Sequence, residues 1–149
     1  MIIAMGSDHA GFEMKEYLRG ELTARDFEII DCGTYSPESV DYPDYAAKVC
    51  DAVKSGSARF GILVCATGVG ISMAANKRRG IRCALCTNEF TALMARRHND
   101  ANVLALGGMV IGKLLALAIT ETFLREDFSA GERHARRIAK MMALEKNES

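Results

Sequence analysis

Residues 62–77 read "ILVCATGVGISMAANK". An apolar run closes on Cys65, a glycine-rich turn follows, and a short amphipathic stretch comes next. A short apolar run bounded by turn signals reads as a buried strand, and the change of spacing after the glycines reads as a helix. Cys65 is then either the last residue of a buried strand or a thiol that faces a ligand across a loop of backbone N–H groups.

The same unit recurs along the chain. Strands are expected over 2–6, 28–32, 60–65, 81–86 and 102–106, and helices near 11–25, 43–55, 70–77, 89–98, 110–124 and 132–146. Several of these strands are apolar throughout, as they are when helices cover both faces of a sheet. The alternation predicts right-handed crossovers and an α/β fold: a three-layer α/β/α sandwich around a five-stranded, mostly parallel, Rossmann-like sheet. Strand order does not follow from the pattern. Pro43 suits a first helical turn, with Asp44 favourable at the positive end of the helix dipole. Gly6, Gly33, Gly68 and Gly107 are expected just beyond strand ends, where the chain turns sharply. With no repeat, low-complexity stretch or internal linker, 1–149 reads as one domain whose tail, 147–149, frays.

Bulk properties narrow the function. A 149-residue chain with 49% hydrophobic and 26% charged residues suits a soluble globular domain with a real core. Lys+Arg and Asp+Glu balance at 19 each, so no global field recruits nucleic acid or an acidic membrane. Local basic clusters at 77–82, 96–97 and 133–140 suit a small anion, or are solvated helix faces. Five cysteines, an odd number spread over apolar segments, argue for a reducing compartment rather than a disulfide framework. Cys83 and Cys86 form a C-x-x-C, but on a strand residues three apart point to opposite faces, so they read as core residues. The N-terminus lacks a basic n-region, and glycines interrupt the apolar stretch 103–119. A cytoplasmic protein is expected.

In an open parallel sheet, ligands bind beyond the carboxyl ends of the strands. That rim holds Asp8, His9, Tyr42, Cys65 and Thr67. Asp8 could equally cap a helix, and His9 could be a solvated turn residue. His98 and Asn99 precede the fifth strand and fall on the opposite rim, so they reach the site only from a neighbouring subunit or by an unusual connection. Familiar phosphate machines fail on spacing. A P-loop needs Lys-Ser/Thr where Phe12-Glu13 stand, a dinucleotide fingerprint needs glycine where Met73 stands, and a phosphatase loop needs arginine where Ile71 stands. What survives is a thiol beside an anion-stabilising turn: N–H groups of 67–71 can surround negative charge, on the sulfur or on an oxyanion beside it. That chemistry is proton abstraction next to a carbonyl, giving an enediolate. Arg133 and Arg137, spaced i, i+4 with Lys140 beyond, form either a solvated stripe or a clamp for a phosphate dianion.

The segments "GSDHAGFEMK", "DYPDYA", "GILVCATGVGISMAANKRRGIRCALC", "HNDANVLALGG" and "GERHARR", in this order, resemble type B ribose-5-phosphate isomerases from residue 2 to about 140. Galactose-6-phosphate isomerase subunits and allose-6-phosphate isomerases share that scaffold. The resemblance implies a metal-independent, cofactor-free aldose–ketose isomerase acting on ribose 5-phosphate and ribulose 5-phosphate. It implies a homodimer, or a dimer of dimers, with sites shared between subunits. It makes Cys65 the base between C1 and C2, and gives Thr67 and the Gly68–Val69–Gly70 turn to the enediolate oxygens. His98, with Asp8 nearby, assists ring opening; His9, Arg133 and Arg137 match the phosphate end; Tyr42 and Asn99 match sugar contacts. Ile71 stands where some relatives carry a glutamate base, which puts this chain in the cysteine subgroup. Ala66 replaces a common glycine, and Met109 replaces a common arginine, which bears on phosphate affinity and sugar length. A six-carbon sugar-phosphate isomerase and a non-catalytic sugar-phosphate or nucleotide-binding module are the competing readings.

Overall fold

The alternation of strands and helices is realised in the computed structural model, which describes residues 1–147. Its strands are β1 (Ile2–Ser7), β2 (Glu28–Asp31), β3 (Phe60–Cys65), β4 (Cys83–Leu85) and β5 (Val103–Gly107). They form one all-parallel sheet in the order β2-β1-β3-β5-β4. The helices are α1 (Phe12–Thr23), α2 (Tyr42–Lys54), α3 (Val69–Asn76), α4 (Glu89–Asn99), α5 (Lys113–Arg125) and α6 (Glu132–Asn147). Of the tail expected to fray, Asn147 closes α6, and 148–149 lie outside the described residues.

Side-chain alternation along β3 divides the core in two. Ile62 and Val64 pack with Leu18 of α1, Ala92 of α4 and Phe123 of α5, whereas Leu63 and Cys65 pack with Val49 of α2 and Ile71 of α3. Both faces of the sheet are therefore covered, and β3 is buried along its whole length. Cys83 and Cys86 fall on opposite faces, each in a different core cluster, as their spacing requires, and burial pushes both thiols up.

Three details depart from the sequence expectation. β4 spans Cys83–Leu85 rather than 81–86, because Arg82 instead accepts the N–H groups of Asn102 and Val103 at the start of β5. The side-chain amide of Asn76 then donates to the Cys83 carbonyl at 2.9 Å and accepts the Cys83 N–H at 2.8 Å, capping an edge strand that has no further neighbour. α5 begins at Lys113 rather than 110, since the amides of Val110 and Ile111 turn back onto the Gly107 carbonyl. Gly6 and Gly107 lie inside β1 and β5, not beyond them; a Cβ on Gly107 would sit 2.6 Å from the Thr67 carbonyl oxygen, so backbone approach explains the residue.

This topology positions the site. β2 and β3 flank β1 on either side, and α1 and α2 pack on opposite faces, so a crevice is expected where the carboxyl ends of β1 and β3 meet. Among the described residues, no helix is long and apolar enough to cross a membrane.

Candidate active site at the carboxyl rim

The register of β1 and β3 sets Ser7 opposite Val64, so one residue further on Asp8 stands beside Cys65. On the other side Cys65 pairs with Gly107 of β5. Neighbouring strands run about 4.8 Å apart, so a carboxylate, a thiol and a residue with no side chain lie in one row across the sheet's end. Asp8 is buried; its Oδ1 accepts the Gly11 N–H at 3.0 Å, closing the turn before α1, while Oδ2 takes no hydrogen bond among the described residues. The capping position itself belongs to Gly11, so the helix-cap reading of Asp8 is corrected.

Cys65 is the last residue of a buried strand. It is 4% exposed and belongs to the core cluster beneath α2 and α3. Yet its Sγ accepts the Gly68 N–H at 3.1 Å, so the thiol is tied to the turn above it. That contact requires Gly68 at φ +78, a left-handed conformation that costs a residue with a side chain about 1–2 kcal/mol. The turn is laid against the β5 exit, with Gly108 N–H donating to the Cys65 carbonyl at 2.8 Å and Met109 N–H to the Ala66 carbonyl at 2.9 Å.

The amides of 67–71 divide into two sets. Gly68 N–H serves the thiol, and Val69 N–H donates to Thr67 Oγ1 at 3.1 Å. The N–H groups of Thr67, Gly70 and Ile71 take no partner among the described residues, so they form the open part of the nest. Ser72 stabilises the first turn of α3 through its hydroxyl on the Val69 carbonyl at 2.8 Å. The Tyr42 ring lies directly over this turn: a Cβ on Gly70 would be 2.7 Å from Tyr42 Cζ and 3.0 Å from its hydroxyl. His9 joins from the β1 exit, its Nδ1 accepting the Val40 N–H at 3.2 Å. One chain thus gathers Asp8, His9, Tyr42, Cys65, Thr67, Gly68, Val69 and Gly70.

It does not gather the rest. α4 starts beyond β4 and ends at Asn99, just before β5 begins, so His98 and Asn99 stand on the amino rim, the length of a strand from Cys65. The His98 ring stacks on His134 of α6 with centroids 4.1 Å apart and planes 11° apart. His134 is held below the ordinary imidazole range by desolvation first, then by His98, Arg133 and Arg137. α6 follows this rim to Glu145, whose carboxylate accepts the Gly80 N–H at 2.9 Å. Arg133 and Arg137 are exposed on α6 and form no ion pair among the described residues.

Sequence reasoning missed three residues. Lys15 is fully buried, donating to Asp31 Oδ1 and to the Thr34 carbonyl, each at 2.7 Å. Its signal was present: Gly11, Lys15, Leu18 and Leu22 share one helical stripe, an unusual place for an unpaired ammonium. His134 sat in a quoted motif without being singled out. The Val40 amide carried no signal.

Comparison with known proteins agrees with this architecture. A family model described as Ribose/Galactose Isomerase matches residues 3–141. The chain belongs to that family. Ribose-5-phosphate isomerase B of Escherichia coli is 46% identical over 143 residues, covering 96% of this chain and 95% of that protein. The solved structure of Clostridium thermocellum ribose-5-phosphate isomerase B superposes with a TM-score of 0.98 at 52% identity, covering 100% of both chains. That of the Thermotoga maritima ribose 5-phosphate isomerase gives 0.93 at 53% identity, over 95% of this chain and 97% of the other.

Proposed function

We propose that this chain, as one domain, interconverts ribose 5-phosphate and ribulose 5-phosphate, with Cys65 moving the proton. Similarity to ribose-5-phosphate isomerases B over nearly the whole length supports the substrate. The observation that carries the mechanism is the Cys65 thiol on the Gly68 amide, in register with Asp8 and beside an open nest of amides. In the open-chain aldose, the sulfur takes the C2 proton, and the electron pair moves into a C1–C2 double bond as the C1 carbonyl oxygen becomes an oxyanion. Amides of Thr67, Gly70 and Ile71, with the Thr67 hydroxyl, stabilise that charge. The C2 hydroxyl proton then passes to the C1 oxyanion, the sulfur returns its proton to C1, and the C2 oxygen becomes the carbonyl of the ketose, with no net redox change.

The reading includes a homodimer with composite sites. Tyr35, Val69, Met73, Phe90, Met109 and Leu114 are large apolar residues left exposed around the carboxyl rim, and a second copy covering that rim would bring them out of water. The same packing delivers the partner's His98 for ring opening, the partner's Asn99 to the sugar, and the partner's Arg133 and Arg137 to the phosphate. The five free cysteines fit a reducing cytoplasm.

Solvent-deuterium exchange at C2 of ribose 5-phosphate, run with a chelator present, tests the mechanism. Wild type exchanges the proton, and Cys65→Ala loses on the order of 10²–10⁴ in rate while still binding the sugar phosphate. Unchanged turnover in Cys65→Ala removes the base assignment. Because the family covers galactose as well as ribose isomerases, and Met109 is 78% exposed on the loop beyond β5, relative kcat/KM on ribose, allose and galactose phosphates fixes sugar length.

A further inference from the structure

The segment between β2 and α2 is pinned at two points. At its start, Ser7 and the loop exchange backbone hydrogen bonds, Ser7 N–H to the Gly33 carbonyl at 2.7 Å and Thr34 N–H to the Ser7 carbonyl at 2.8 Å. Lys15 adds its ammonium to the Thr34 carbonyl at 2.7 Å. Near its end, Val40 N–H donates to His9 Nδ1 at 3.2 Å. Between these points the Tyr35 hydroxyl donates to the Asp31 carbonyl at 3.0 Å, and residues 37–39 are exposed, with Glu38 N–H donating only to Ser36 Oγ within the strap. Two residues past Val40 comes Tyr42, whose ring covers Gly70.

A backbone N–H aimed at Nδ1 has a chemical consequence. Nδ1 must offer a lone pair, so the single proton of the neutral ring resides on Nε2. Nε2 takes no hydrogen bond among the described residues, which leaves a donor for a ligand. An imidazolium has no lone pair at Nδ1 and could not keep the Val40 contact.

We propose that the Val40 amide is a positioning group for His9. It sets His9 as an Nε2–H donor toward an anionic or carbonyl oxygen of the ligand, and it makes seating of the 35–41 strap, with Tyr42 at its end, one event with orientation of His9. The catalytic consequence rests on the sugar-phosphate reading; the tautomer and the latch do not.

Two substitutions separate the ring's two nitrogens. His9→Asn keeps an acceptor oxygen near the Nδ1 position, whereas His9→Gln places its amide near Nε2 and abandons Val40. Amide hydrogen exchange at Val40 should stay protected in wild type and His9→Asn, and speed up on the order of tenfold in His9→Gln. Long-range ¹H–¹⁵N spectra of the intact protein should show His9 as the Nε2–H tautomer at neutral pH. Val40→Pro removes the N–H and Val40→Ala keeps it; the proline variant should show a mixed His9 tautomer and a KM raised several-fold over the alanine variant, with a smaller change in kcat. Val40 exchange indifferent to His9→Gln, or a dominant Nδ1–H tautomer in wild type, overturns the proposal even if Val40→Pro fails to fold. A protein that shows the latch by exchange and spectra but isomerises no sugar phosphate keeps the latch and loses the functional reading instead.

Discussion

Gly68 answers two demands at once: a left-handed backbone that points its N–H at Cys65 Sγ, and a close approach to β5. A Cβ there would sit 2.4 Å from Leu85 Cδ1 and 2.9 Å from the Leu106 carbonyl carbon. The leucine can swing aside; the backbone cannot. Gly68→Ala should therefore cost about 2–3 kcal/mol, read as a lower urea midpoint at unchanged slope, and should lower turnover as the amide leaves the sulfur. Lys15 carries a different debt. Removing its ammonium leaves the Thr34 carbonyl without its donor, while Asp31, which is 25% exposed, keeps the Gly33 N–H on Oδ1 and Arg19 at 3.8 Å from Oδ2, so Lys15→Met should cost about 3 kcal/mol, toward the low end for a broken buried pair. Equilibrium denaturation measures it; a loss under 1 kcal/mol would mean the loop holds by backbone bonds alone. These residues differ in how far the sequence disclosed them. Cys65, Thr67 and Gly68 were legible because strand, turn and helix are local patterns, and the carboxyl-rim rule then needs only the strand ends. The Val40–His9 contact joins positions 31 apart through a loop with no periodicity, so no local pattern could encode it.

Among the elements, α6 is the one whose own chain explains it least. It has no buried residue from Glu132 to Lys146 and is tied to the body by a few contacts: the His98–His134 stack, Arg82 on Met142 Sδ and Glu145 on Gly80. The stack makes its docking depend on pH. His134 lies below the ordinary imidazole range, so protonation favours the undocked helix. The contribution is complete above the ordinary value and is lost as pH falls through the lowered one, because a charge on His134 is desolvated first of all and then repelled by its neighbours, among them Arg133 and Arg137. Amide exchange along α6 should accelerate on acidification, and His134→Phe, which keeps an aromatic face without a charge, should flatten that response. An acid response unchanged by the phenylalanine would assign it to another group. The periodicity of 132–146 made this helix visible in the sequence, but not its lack of a buried face. For β4 the reverse held: an apolar run suggested six residues, and pairing of Arg82 with the start of β5 leaves Cys83–Leu85.

At the scale of the whole molecule, the conflict visible in the sequence persists in three dimensions. Residues that the family resemblance assigns to one site lie on opposite rims of a single chain, and β3 alone, six residues long, spans roughly 20 Å between them. Strand direction made the separation legible; the contact that would close it involves a second copy, about which one chain's hydrophobic periodicity says nothing. Two chains related by a two-fold axis would resolve it reciprocally, each lending His98 to the other's Cys65. Mixed dimers test this directly. In such a dimer, Cys65→Ala and His98→Asn should each be nearly inactive on cyclic ribose 5-phosphate as pure dimers. Refolded together in equal amounts, half the dimers are hybrids, and each hybrid holds one site with both Cys65 and His98 intact and one site lacking both. Activity should return to about a quarter of wild type, the value for random pairing of subunits in a two-fold dimer. If each chain built its site alone, no pairing would restore anything, and the mixture would stay as inactive as its parts.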